Sequence, residues 1–142
     1  MNTTVADEPV DVARRYVAAF NGGDVDAMAA CFTDSGSILD GMAPHLWQGA
    51  TAPRDWYSDV MAESEHLGAT GYFVELAAPA HNAVTGDDAY VVLPATMSFD
   101  LRGRRMVQTG ASLTFALHRR GPSWLIAGWA WTKGAPAEPA VT

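Results

Sequence analysis

The sequence predicts an α+β protein, with a curved antiparallel sheet wrapped around three helices of the N-terminal half to form a cone with an apolar pocket. Three observations predict it. Apolar residues recur at helical spacing in three stretches before Gly68. From Gly71 onward the period changes towards two, the spacing of a half-buried strand. The clusters Thr85-Gly86-Asp87-Asp88, Arg102-Gly103-Arg104 and Arg120-Gly121-Pro122-Ser123 then cut the second half into long strands joined by turns.

The first helix carries Val12, Tyr16, Val17 and Phe20 on one face, with Arg14, Arg15 and Ala18 on the other. Asn21-Gly22-Gly23 ends it, since glycine reaches the left-handed backbone region without steric cost. Asp24 is placed to cap a second helix with the apolar face Val25, Met28, Ala29 and Phe32. Cys31 beside that face reads as a small core residue, because no local cationic cluster would lower its pKa. A turn at Thr33-Asp34-Ser35 leads to a short strand, Gly36 to Leu39. After a loop and Trp47-Gln48-Gly49, a third helix should begin near Thr51 with Pro53 in its first turn, where the missing N–H costs little. Trp56, Tyr57, Val60, Met61 and Leu67 give it an apolar side, and Gly68 to Gly71 closes it.

A strand is predicted from Tyr72 to Ala78, with Ala80 to Val84 continuing it after Pro79. Ala89 to Phe99 puts Val91, Leu93, Ala95, Met97 and Phe99 on one face, and Pro94 inside it signals an edge or a bulge. Arg105 to Arg119 puts Val107, Ala111, Leu113, Phe115 and Leu117 on one face and Gln108, Ser112, Thr114 and His118 on the other. In the last strand, Trp124 to Lys133, Trp129 and Trp131 share a face opposite to Trp124, Ile126 and Gly128. Residues 1–9 are expected to be a flexible N-terminus, 10–133 one domain and 134–142 a flexible tail.

At 142 residues the chain has the length of one domain, and 49% hydrophobic residues supply a core. Nine basic against sixteen acidic residues give a net charge of −7, which argues against a nucleic-acid-binding surface. No apolar run is long enough to span a membrane, and the polar, acidic start Met1–Glu8 does not read as a secretory signal. The expected location is cytoplasmic. One cysteine makes no internal disulfide, and His45, His66, His81 and His118 show no metal-pair spacing, so no metal or other cofactor is expected.

This order of elements, with Trp47-Gln48-Gly49 before the third helix and Trp124-Leu125-Ile126-Ala127-Gly128-Trp129 near the end, resembles the nuclear transport factor 2-like superfamily over roughly Val10 to Lys133. Its members include ketosteroid isomerases, polyketide cyclases and binding domains. The first half is most similar to bacterial ketosteroid isomerases, through Arg15-Tyr16-Val17, Gly23-Asp24, Ile38-Leu39-Asp40, Gly49 and Trp56-Tyr57. The resemblance implies that Tyr16 donates a hydrogen bond to a substrate oxygen and that Asp40 moves a proton. It further implies that Tyr57 supports Tyr16 and that Trp131 lines the pocket. It breaks at Thr109-Gly110-Ala111-Ser112-Leu113, where those isomerases carry a second, protonated acid.

Each candidate has a plainer alternative. Asp40-Gly41 also fits a simple turn after a strand. Tyr16 and Tyr57 also fit a core pair that satisfies its own hydroxyls. Trp129 and Trp131 form an aromatic wall if they face inward, or an interface if they face outward. Phe20 lines the pocket from the first helix, and His45 near Asp40 is a candidate for its mouth. The expectation is a protein that binds an apolar small molecule, with acid–base isomerase or cyclase chemistry on a carbonyl compound through Asp40 and Tyr16. The alternative is a non-catalytic ligand-binding or dimerisation module. A homodimer is expected in either case.

Overall fold

The computed structural model describes residues 7–140. Three helices, α1 (Pro9–Asn21), α2 (Val25–Ala30) and α3 (Ala52–Leu67), pack against a single curved, unclosed sheet. Its strands are β1 (Phe32–Leu39), β2 (Leu46–Gln48), β3 (Ala69–Leu76), β4 (His81–Thr85), β5 (Asp88–Leu101), β6 (Arg104–Arg120), β7 (Ser123–Thr132) and β8 (Glu138–Pro139). The order across the sheet is β2-β1-β7-β6-β5-β3, with β4 beside β5 and β8 beside β6. The architecture is the expected α+β cone.

The helices follow their sequence signals. Val12, Tyr16 and Val17 are buried while Arg14, Arg15 and Ala18 are exposed. Asp24 Oδ1 accepts from the Ala27 N–H at 3.1 Å, the N-cap its position predicts. Thr51 precedes α3, and Gly68 ends it at φ 74°, a left-handed value that favours glycine. The expected helical Phe32 belongs instead to β1. The α2 helix stops at Ala30, and Phe32 opens the strand by pairing with Ile126. The predicted turn at Thr33-Asp34-Ser35 survives as an irregularity. Between Phe32 and Ser37 the β1 chain advances five residues while β7 advances two, from Ile126 to Gly128.

The sheet is mixed rather than wholly antiparallel, because β1 runs parallel to β7. Hairpin turns force antiparallel neighbours only where strands follow one another, and more than half of the chain separates these two. β3 and β4 both pair with β5, so the segment after Pro79 does continue the same edge, after a break. Pro94 faces that break. Its carbonyl accepts from the Ala77 N–H at 2.9 Å on the β3–β4 side, where a proline N–H would be missing.

Two bulges decide which way the inner wall points. In the β5–β6 pair, Ala95 faces Ala111 but Met97 faces Gln108, so Thr96 alone opposes Thr109 and Gly110. Gly110 takes φ 76°, the conformation such an extra residue needs. In the β6–β7 pair, Ala116 faces Gly128 and Leu117 faces Ile126, which leaves Ala127 extra. This corrects the expected facing of the last strand. Trp124 and Ile126 are buried on the same side as Trp129, because the bulge at Ala127 resets the alternation between them.

The tail expected to be mobile runs along β6 as far as residue 140. The Ala135 N–H donates to Thr109 O at 2.9 Å, Glu138 and Pro139 face Val107 and Met106, and the Ala140 N–H donates to Arg105 O at 2.8 Å. Gly134 lies so close to Thr109 O that a β-carbon there would collide with backbone. At the other terminus, helix α1 already begins at Pro9, and residues 1–6 lie outside the described part of the chain. Among the described residues, no helix is long and apolar enough to cross a membrane.

Candidate active site

The cone holds a cavity of about 490 Å³ between α1, α3 and the inner face of β5–β7. Tyr16 reaches it from α1, where helical spacing puts it on the buried face; it is 2% exposed. Its ring packs 5.4 Å from Phe32, 6.0 Å from Trp129 and 6.4 Å from Phe115. Its hydroxyl has no hydrogen-bond partner. Burial pushes its pKa well above the ordinary tyrosine range, the Trp129 indole N–H, near the phenol oxygen though outside hydrogen-bond geometry, opposes the shift, and Cys31 and Asp40 add to it. The phenol therefore stays protonated and can act as a donor.

Asp40 follows β1 and lines the same cavity, half-buried. The Gly41 N–H donates to Oδ1 at 2.7 Å and the Trp56 indole N–H donates to Oδ2 at 2.9 Å. These bonds fix the carboxylate's direction. Trp56 in turn stands edge-on to Trp129 at 4.9 Å, so two indoles link the carboxylate to the phenol.

Trp129 is 5% exposed and its indole N–H is also unpartnered. Trp131, half-buried and opposite Leu113, extends the wall, and Phe20 closes the α1 side at 5.5 Å from Trp56. Inward facing thus holds for both tryptophans.

Two candidates lie elsewhere. Tyr57 does not support Tyr16. It packs edge-on to Phe20 at 6.1 Å beside Gly23, in a separate depression of about 500 Å³. Adjacent helix residues diverge by about 100°, so Trp56 and Tyr57 cannot both face the cavity. His45 is exposed at φ 77° and does not line the mouth. Its carbonyl accepts from the Asp40 N–H at 3.0 Å, and its Nδ1 lies 3.1 Å from Asp40 O, so it closes the loop that carries the carboxylate.

Sequence reasoning placed Gln108 on the outer face, whereas the Gly110 bulge turns it into the cavity, where its Oε1 is buried without a partner. The signal was the glycine inside a strand pattern. Among the described residues, the side-chain atoms that are buried and unpartnered are Tyr16 Oη, Gln108 Oε1 and Trp129 Nε1, and all three residues line this one cavity. No group of three or more His, Cys, Asp or Glu among the described residues could hold a metal ion.

Several solved structures share the fold. A ketosteroid isomerase-like protein from Erwinia carotovora atroseptica matches with TM-score 0.72 at 19% identity, covering 95% of this chain and 100% of that one. A hexachlorocyclohexane dehydrochlorinase from Novosphingobium barchaimii matches with TM-score 0.77 at 11% identity, covering 93% and 87%. A nuclear transport factor 2-like protein with a cystatin-like fold from Novosphingobium aromaticivorans matches with TM-score 0.67 at 16% identity, covering 87% and 77%. A family model for the SnoaL-like domain matches residues 13–125, and the chain belongs to that family within the nuclear transport factor 2-like superfamily.

Proposed function

We propose that this protein binds an apolar carbonyl compound in the cone and moves a proton next to the carbonyl, as an isomerase or cyclase. The observation that carries the reading is the convergence of an oriented carboxylate and two unpartnered donors on one aromatic-walled cavity. Asp40 takes the proton from the carbon beside the carbonyl. The C–H electron pair moves into the carbon framework and the carbonyl oxygen gains charge. The Tyr16 hydroxyl and the Trp129 indole N–H donate to that oxygen. Each such donor is worth on the order of 10²–10³ in rate. Trp129 thus supplies the second donor that the resemblance to the isomerases led one to expect from an acid. The proton then returns from Asp40 to a different carbon, or the enolate carbon attacks a second carbonyl of the same molecule, closing a ring, and the oxygen of that carbonyl takes the proton from Asp40.

The experiment is deuterium exchange at carbons next to the carbonyl of 2-tetralone in D₂O, read by mass spectrometry. The wild-type protein should accelerate exchange and Asp40→Asn should abolish the acceleration while retaining binding. Equal exchange in both proteins would remove Asp40 from the mechanism.

The non-catalytic reading draws on one observation, that both Asp40 oxygens already accept a hydrogen bond. Binding of the ketone without exchange would favour it. Under both readings the protein pairs as a homodimer through the outer sheet face, where Phe73 and Tyr90 are exposed. A monomer mass by light scattering would count against that pairing.

A further inference from the structure

Of the cavity's polar residues with no part in the proton transfer, Gln108 is the one whose side-chain oxygen is buried without a partner among the described residues. Gln108 sits on β6 opposite Met97, and the neighbouring wall from Val74, Met97 and Leu113 is apolar. A buried amide oxygen without a partner destabilises the empty protein, and native chains seldom keep one without use. The chain goes further than tolerating it. The extra residue at Gly110 is what turns this side chain inward.

Gln108 is also far from the donors along the wall. Trp129 faces Phe115, which faces Val91 on β5, whereas Gln108 faces Met97. Val91 and Met97 are six residues apart along β5, and on the concave face of the curved sheet the groups facing the hollow lie closer together than the roughly 20 Å of extended strand. The donors Tyr16 and Trp129 and the acceptor Gln108 therefore mark two separate poles of one apolar hollow.

We propose that Gln108 determines specificity by accepting a hydrogen bond from a hydroxyl at the far end of the ligand. The ligand is then an elongated, multi-ring hydroxy-ketone, with its carbonyl at Tyr16 and its hydroxyl at Gln108. This rests on the reading of the cavity as a carbonyl-compound site. An apolar wall replaced by one acceptor discriminates strongly, because a ligand lacking the hydroxyl leaves the amide unpaired.

The test uses 2-acetylnaphthalene, its 6-hydroxy derivative and its 6-methoxy derivative, with affinities measured by calorimetry on the full chain. Wild-type protein should bind the hydroxy-ketone about 10-fold tighter than the parent or the methoxy-ketone. Gln108→Leu and Gln108→Met should bind the parent at least as tightly as wild type and show no preference for the hydroxyl. Without ligand, both variants should melt above wild type, since each removes an unpaired polar atom. The proposal is overturned if the preference survives in both variants, if the methoxy-ketone matches the hydroxy-ketone, or if both variants melt below wild type. Failure of every naphthyl ketone to bind would overturn the reading of the cavity as well. Binding with an unaltered preference in the variants would overturn the role of Gln108 alone.

Discussion

Strands β6 and β7 build two ends of the cone that differ in how they are filled. At one end Leu117 faces Ile126, both are at most 1% exposed, and Trp124 beside them is buried. At the other, Leu113 faces Trp131 and Gln108 faces Met97, and the space between them and α1 stays open. Apolar side chains interdigitate at the filled end. At the hollow end all three side-chain atoms that are buried and unpartnered among the described residues gather around one cavity. A sheet that can close its core at one end has the means to close it at the other. The hollow is thus a feature of the side chains chosen there, at a cost in stability that a ligand would offset.

The largest expected effect separates chemistry from packing. Asp40→Asn should lower proton exchange by about 10²–10⁴ and the urea midpoint only modestly, because the amide oxygen keeps the bond from Trp56 and only the exposed acceptor for the Gly41 N–H is lost. Next comes Leu117→Ala at the filled end. It should cost about 2–5 kcal/mol in urea unfolding, by lost transfer and the void left behind. Trp131→Ala at the hollow end should cost less than Leu117→Ala despite removing a larger side chain, since Trp131 already borders open space. An equal or larger cost for Trp131→Ala would show that the hollow end is packed as the filled end is, and the comparison would fail.

Tyr16 sharpens the contrast through pH. Its folded pKa lies above the ordinary value of 10.0, with burial as the main cause. Below that value both states are protonated and the group contributes no pH dependence. As pH rises beyond it, the unfolded chain loses the proton first, so stability falls by up to about 1.4 kcal/mol per pH unit. Urea midpoints measured from neutrality to pH 11 should show this decline in wild type and a shallower one in Tyr16→Phe. At neutral pH the same variant should be more stable by about 1 kcal/mol, since it removes an unpartnered hydroxyl, while its exchange rate falls.

Much of this was legible in the residues because it is local. The buried face of α1, the Asp24 cap and the start of α3 after Thr51 each follow from spacing or capping within a few positions. The inward facing of Tyr16 came from the same helical period, and its meeting with Asp40 in one cavity followed the resemblance. What escaped depends on partners distant along the chain. A single strand does not reveal that its neighbour runs parallel, as β1 and β7 do. Alternation alone put Gln108 outside and separated Trp124 from Trp129, since an extra residue is defined only against the opposing strand. The resemblance led one to expect Tyr57 beside Tyr16, whereas packing turns Trp56 to the cavity and Tyr57 towards Phe20 and Gly23. The tail's small residues led to the expectation of a flexible segment, and only the opposing strand shows that Gly134 lets its backbone approach β6.

The extra residue at Gly110 has an evolutionary consequence. Replacing that glycine by a residue that disfavours a positive φ would press the bulge into plain alternation upstream of Ala111, sending Gln108 out to solvent and bringing Val107 in, with the ladder from Ala111 to Arg120 undisturbed. One substitution at this glycine therefore toggles the far pole of the hollow between greasy and polar while the proton-handling groups stay in register. A scaffold with such a hinge in its coding sequence can change what it admits in one genetic step.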